Sequence, residues 1–245
     1  MPSRIVLFFI FVLFFSFNSF SQLQHQIYKD IVNNKSQKTF ALLKKILITN
    51  TNPDTIEIKV FTGKISKTLG GEFEKVFIRL ENAEFKNLNV ESAVFILYNP
   101  IIDLDKLWNN KQIVLKNNEK VDFSLTINEK DLNDFLLKKK DDINVDSPSV
   151  KLYKEKISLT GKGKILSFNV RFRADGKFNI RENHYIDFIP NNLKFNSIPL
   201  PKLFIRRLVK KINPVLNMYD FPFNLRIEKI VLLDGKIIFS AGIMK

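Results

Sequence analysis

The chain contains no cysteine in 245 residues. That excludes disulfides, thiol catalysis, cysteine-held metals and a lipid anchor on an N-terminal cysteine. Histidine is nearly absent too. His25 and His184 stand alone, without a His-x-His or His-x-x-x-His spacing, so a zinc site has no ligand set. There is no Gly-x-Ser-x-Gly elbow. Gly161-Lys-Gly-Lys164 lacks the order of a phosphate loop and sits between strand-like segments. Asp103-Leu-Asp105 and Asp141-Asp142 read as surface turns rather than cation sites. No cofactor is expected. The one enzymatic possibility that survives is a hydrolase whose two carboxylates come from distant strands, which leaves no local signature.

Tryptophan occurs once and tyrosine five times, against 24 phenylalanines. Nucleic-acid stacking platforms need exposed aromatics among basic residues. Here the phenylalanines fall on the apolar side of alternating segments, so nucleic acid is not an expected partner. After residue 17 there is no second long apolar run.

The first such run sets the expected compartment. One arginine, Arg4, precedes the apolar stretch Ile5 to Phe17, and Asn18-Ser19-Phe20-Ser21 follows with small residues. A basic, an apolar and a small-residue segment in that order is a secretory signal. Cleavage after Ser21 is expected, giving a signal peptide at 1–21 and a single domain at 22–245. An uncleaved anchor is the alternative, although the run is short for a span of about 20 residues. The mature protein is then expected in the periplasm or extracytoplasmic envelope, soluble or peripheral to a membrane.

Charge is strongly one-sided. Lys and Arg number 39 against 25 Asp and Glu, a formal net charge of +14. Such an excess suits anionic partners. Lysine abundance matches the abundance of Asn, Ile and Phe, as an AT-rich genome would give. Arginine placement is more informative: six of the eight arginines lie between Arg171 and Arg226. The guanidinium fork pairs bidentately with phosphate.

Along the chain, apolar spacings of three and four over Gln22 to Ile48 predict a helix, ended by Thr49-Asn50-Thr51-Asn52-Pro53. The period then becomes two. Ile56-x-Ile58-x-Val60, Val76-x-Ile78-x-Leu80, Leu88-x-Val90, Val94-x-Ile96-x-Tyr98 and Val121-x-Phe123-x-Leu125-x-Ile127 read as half-buried antiparallel strands. One helical turn is expected at Asp103 to Trp108. Asn128 caps a short helix whose buried side is Leu132, Phe135 and Leu136, with Lys138-Lys139-Lys140 at its negative end. Strands resume at Val150-x-Leu152, Ile157-x-Leu159, Phe168-x-Val170-x-Phe172, Phe178-x-Ile180, Ile186-x-Phe188 and Leu193-x-Phe195. Asp175-Gly176 and Asp234-Gly235 each read as a hairpin turn between alternating runs. The fold class is α+β with a mostly antiparallel sheet and additional short helices.

Lys202 to Leu216 predicts a long amphipathic helix. Phe204, Ile205, Leu208, Val209, Ile212, Val215 and Leu216 fall on one arc at about 100° per residue, and Arg206, Arg207, Lys210 and Lys211 on the other. The apolar arc either closes the core, lines a groove for lipid tails together with Val76, Ile78 and Leu80, or lies flat on a membrane. The basic arc supplies candidates for headgroup or membrane-surface contact.

The order of these pieces resembles the LmeA-like phospholipid-binding family of exported bacterial proteins. The resemblance rests on Phe73 to Ile102, on TINEKDLNDFL at Thr126 to Leu136, and on the run from Ile186 to Gly242. It implies a tubular lipid-binding (TULIP-like) fold, a strongly curved antiparallel sheet wrapped around a long helix, and no catalytic residues. The expected partner is then phospholipid or another amphipathic lipid, together with an anionic membrane surface. A structural envelope protein with a fully packed interior is the alternative.

Overall fold

The computed structural model describes residues 37–61, 70–117, 120–143, 145–165, 168–196, 198–199, 210, 213–223 and 225–242. Residues 37–51 form the helix α1. Thr39, Leu43, Ile46, Leu47 and Thr51 are its buried face, recurring every three or four residues. Its end is built from side chain and backbone together. The Thr51 hydroxyl donates to the Leu47 carbonyl at 2.8 Å, and the Asn52 amide, at φ 39°, donates to Ile48 at 2.8 Å. Pro53 then cannot continue the ladder.

Two antiparallel sheets make up most of the rest, in an α+β fold with a curled, half-barrel sheet. The first contains β1 (Thr55–Phe61), β2 (Lys75–Phe85), β3 (Leu88–Tyr98), β6 (Lys120–Asn128), β13 (Lys229–Leu233) and β14 (Lys236–Ala241), ordered β1-β2-β3-β6-β14-β13. A two-stranded ribbon of β4 (Ile101–Ile102) and β5 (Leu115–Asn117) encloses helix α2 (Leu104–Asn110). Asp103 caps α2, accepting from the Lys106 amide at 3.1 Å, so this acid is structural. Helices α3 (Glu129–Lys138) and α4 (Lys140–Ile143) connect to the second sheet. That sheet contains β7 (Asp146–Leu152), β8 (Ile157–Ile165), β9 (Phe168–Arg181), β10 (Tyr185–Phe195) and β11 (Ile198–Pro199). Its order is β11-β10-β9-β8-β7, and β12 (Leu216–Asn217) also pairs with β10.

One apolar core is shared by both sheets and α1. Phe95, Phe123, Phe188 and Phe239 are fully buried in it. Each such side chain is worth about 1.5–3 kcal/mol of burial. The Phe178 and Phe239 rings meet at 6.3 Å and join the second sheet to the first, while Phe223 stands edge-on to Phe95 at 5.4 Å.

Three expectations are corrected. In the second half of β3 the fully buried set is Ala93, Phe95 and Leu97, not Val94, Ile96 and Tyr98, which stay half-buried. The cause lies at Asn82, whose φ of 49° shifts the buried face of β2 from Val76, Ile78 and Leu80 to Ala83 and Phe85. The partner β3 makes the matching switch, from Leu88 and Val90 to Ala93, so the pairing register is unbroken. Second, Asp175-Gly176 is not a hairpin turn. It lies inside β9, flanked by Ile157 of β8 and Pro190 of β10, and the turn comes later, where Glu182 and Asn183 have φ of 54° and 58°. Third, the helix expected over 202–216 does not include its last residues. Asn213 and Pro214 are non-helical, Val215 is in a bend, and Leu216 pairs with Ile186 as β12. Their backbone bonds go to β10 instead: the Val215 amide donates to the Ile186 carbonyl at 2.8 Å.

Candidate functional site: an apolar cavity under helix α3

A cavity of about 280 Å³ lies between the inward face of the second sheet and α3. Leu159 of β8 and Phe172 of β9 form its floor, Phe135 and Leu136 of α3 its roof. Val145 and Pro148 close one side, Pro214 and Val215 another. Among the described lining residues the polar ones are Ser149, Thr160 and Lys139. At roughly 30 Å³ per water-sized group, the space holds on the order of nine such groups. It sits at the lower end of ligand pockets, which run from about 300 Å³ upward.

Each wall is held in place by identifiable chemistry. Helix α3 begins at Asn128, whose side chain accepts from the Asp131 amide at 2.8 Å. Burial pushes the Asp131 carboxyl up from its usual range, against the pull of Lys130 and Asn128. One turn on, the Asn133 amide group pairs with β7 as a neighbouring strand would. It accepts from the Val150 amide at 2.8 Å and donates to the Val150 carbonyl at 3.0 Å. The Glu129 carboxylate accepts from the Leu152 amide at 2.8 Å, so the free edge of β7 is covered by side chains of α3. Asn213 does the same for the opposite wall, bonding both backbone groups of Phe188 at 2.8 and 3.0 Å.

The floor depends on a glycine. Gly161 faces Phe172 across the β8–β9 ladder, and a Cβ there would stand 2.7 Å from the phenyl ring and 2.6 Å from a Val145 methyl. With no side chain there, the ring packs against the glycine and meets Phe195 at 6.1 Å.

Among the described residues the lining contains no carboxylate and no imidazole. Among the described residues no group of three or more His, Cys, Asp or Glu could hold a metal ion. The lining is mostly hydrocarbon, which suits the burial of apolar chains. Lys139 stands at the rim beside the exposed Lys138 and Lys140, at the C-terminal end of α3, where positive charge is favoured.

The chain's relatives fit this chemistry. Residues 47–242 match the LmeA-like phospholipid-binding family. The chain belongs to that family. No curated protein and no solved structure matches it. In this LmeA-like chain the matched range takes in the cavity and both sheets, beginning within α1.

Of the groove residues expected from sequence, Val215 lines the cavity, and Leu216 is buried beside it in β12. Val76, Ile78 and Leu80 are fully buried in β2 of the first sheet and do not line it. Phe204, Ile205, Leu208, Val209 and Ile212 lie outside the described residues, as do Arg206, Arg207 and Lys211. Lys210 is helical and exposed. The sequence signal for Phe135 and Leu136 was present, since the spacing marked them as the inner face of α3. Leu132 is fully buried there, and Phe135 and Leu136 are half-buried, packed against the core while also facing the cavity.

Proposed function

We propose that this protein is an exported, non-enzymatic lipid carrier or holder that takes part of a phospholipid's hydrocarbon into the cavity under α3. One observation carries the reading: an apolar cavity, rimmed by lysine, in a chain of a phospholipid-binding family. The hydrophobic N-terminal run followed by small residues supports export. A cavity of this size accommodates one acyl segment, not both chains of a phospholipid. Burying on the order of nine methylenes at about 0.8 kcal/mol each supplies roughly 7 kcal/mol before ordering costs. No oriented polar group is needed for that. The headgroup stays outside, near the lysines of 138–140, and an anionic membrane surface is the donor or acceptor of the lipid.

Native mass spectrometry of the gently purified protein tests this. Phospholipid is expected to co-purify in a one-to-one ratio. Leu159→Trp, which fills the cavity, is expected to lose the lipid while keeping a cooperative thermal transition. A lipid-free protein that also fails to load from vesicles would favour the structural envelope role instead.

A further inference from the structure

The outward face of the second sheet, opposite the cavity side, carries a concentration of positive charge unexplained by the fold. Along β9 the outward positions are Arg171, Arg173, Asp175, Lys177, Asn179 and Arg181. Their side chains alternate with the inward set of Phe172, Ala174, Gly176, Phe178 and Ile180. The neighbouring strands do not neutralise this row. Arg171 stands directly opposite Lys162 of β8, and Arg173 directly opposite Lys194 of β10. Like charges placed directly across a ladder destabilise a sheet. All of these basic side chains are exposed.

The acids present do not balance them. Asp175 pairs with Arg173 at 3.3 Å, and Arg181 is shared by Asp187 at 2.7 Å and Glu182 at 3.5 Å. Asp146 lies across from Lys162 on β7. Arg171, Lys177 and Lys194 hold no ion pair among the described residues. Two rungs of repelling cations on an exposed sheet face are an electrostatic cost that an anionic partner removes.

The apolar residues on the same face select among anions. Ile189, directly opposite Lys177, is 45% exposed. At the end of the face Arg181 stacks on Tyr185 at 4.5 Å, and Tyr219, 53% exposed, packs edge-on to Tyr185 at 6.0 Å. Tyrosine with arginine beside an exposed aliphatic suits the headgroup layer of a bilayer, where polar tips and apolar bodies are both accommodated. From Arg171 to Arg181 the face extends about 34 Å at roughly 3.4 Å per residue, enough to span several headgroups.

We infer that the outer face of β8–β10 is a docking surface for anionic lipid bilayer, separate from the cavity that holds the lipid. The choice of occupant rests on the lipid-binding reading above; the charge argument does not. Docking on this face leaves the cavity, on the other side of the same sheet, free to exchange lipid around the edge formed by β7 and α3.

The test is sedimentation of the full chain with vesicles of pure phosphatidylcholine and of equimolar phosphatidylcholine and phosphatidylglycerol, alongside native mass spectrometry. Wild type is expected to pellet only with the anionic vesicles and to be released as salt shortens the Debye length from about 10 Å at 0.1 M to about 3 Å at 1 M. Combining Arg171→Gln, Lys177→Gln and Lys194→Gln is expected to weaken partitioning about a hundredfold, the effect of three basic residues near a charged surface. The same variant removes one cation from each repelling rung, so it is expected to melt no lower than wild type, or somewhat higher, and to keep its co-purified lipid. The charge-conserving Arg171→Lys is expected to bind like wild type. Undiminished binding by the triple variant would overturn the inference. So would loss of binding only in an Arg206→Glu, Arg207→Glu variant, or tighter retention on a DNA duplex than on the vesicles. A wild type that docks but carries no lipid would leave the docking face standing and sink the carrier reading alone.

Discussion

The side-chain amide of Asn213 pairs with both backbone groups of Phe188, accepting from its N–H at 2.8 Å and donating to its carbonyl at 3.0 Å. On the far side of the same sheet Asn133 treats Val150 in the same way. In each case one planar amide completes a stretch of strand edge that no strand occupies. An asparagine side chain suits this because it presents a donor and an acceptor side by side. The two clamps fix the two walls of the cavity, α3 and the segment at 213–215, to the sheet that forms its floor.

Removing either amide leaves two part-buried backbone groups unpaired. Asn133→Ala and Asn213→Ala are each expected to destabilise the protein by about 1–3 kcal/mol. Asn→Asp retains the acceptor and loses the donor, so it is expected to be intermediate or worse. Hydrogen exchange at the Val150 and Phe188 amides is the specific readout. Faster exchange confined to the mutated side is expected; an unchanged rate would show that the amide bond is not what protects that edge.

The cavity floor gives a second prediction. Gly161→Val places methyl groups where Phe172 and Val145 already lie, and the ring is the group that can yield, by swinging into the cavity. Overpacking of this kind costs typically 1–3 kcal/mol. Lipid load by mass spectrometry is expected to fall with it. Phe172→Ala enlarges the cavity and is expected to lower the melting temperature while retaining lipid. If both variants carried lipid like wild type, the bound molecule would have to sit elsewhere.

Two identical dipeptides show what the sequence could and could not say. Asp175-Gly176 and Asp234-Gly235 look alike on paper, with alternating apolar residues on both sides. Only the second is a turn, between Leu233 and Lys236, with Gly235 at φ 73°. The first glycine sits mid-strand because the Ile189 carbonyl and the Phe188 ring approach it too closely for a side chain. A sequence records that glycine is needed, not whether φ or space requires it. The same limit applies to β3. Val94, Ile96 and Tyr98 are as apolar as Ala93, Phe95 and Leu97, so alternation locates the strand without choosing its buried face. The cap at Asn128 and the helical turn after Asp103 are legible because their signals are local, whereas the capping role of Asp103 is shown by the structure. The cavity was not, since its lining comes from α3, three strands and the segment at 214–215, and no periodicity says which faces will meet.

The two glycines therefore predict different outcomes for one substitution. Gly235→Ala meets nothing within 4 Å and bears only the cost of positive φ, about 1–2 kcal/mol. Gly176→Ala, with no positive φ, forces its methyl against a backbone oxygen of the central ladder and is expected to destabilise more. Thermal melts of the two variants side by side decide it. A milder Gly176 variant would mean that β9 and β10 separate there at little cost.

Acid stability tests the electrostatics of the outer face. Burial alone raises the Asp175 carboxyl, but the Ser158 hydroxyl and the Arg173 guanidinium outweigh it and hold the carboxyl below its ordinary range. A carboxyl whose folded value lies below its unfolded value of about 3.9 stabilises the fold above that pH. That contribution is lost as pH falls through the lower, folded value. Asp175→Asn is therefore expected to lower the melting temperature at pH 7 and to converge on wild type once the pH has fallen through that folded value. Arg173→Gln is expected to do the same to a smaller degree, because Ser158 still bonds the carboxylate. Equal destabilisation by Asp175→Asn at pH 7 and at low pH would show that the aspartate acts through shape or hydrogen bonding and not through its charge. The opposite trend, a larger gap in acid, would require a folded carboxyl that is raised, and would contradict the pairing with Arg173.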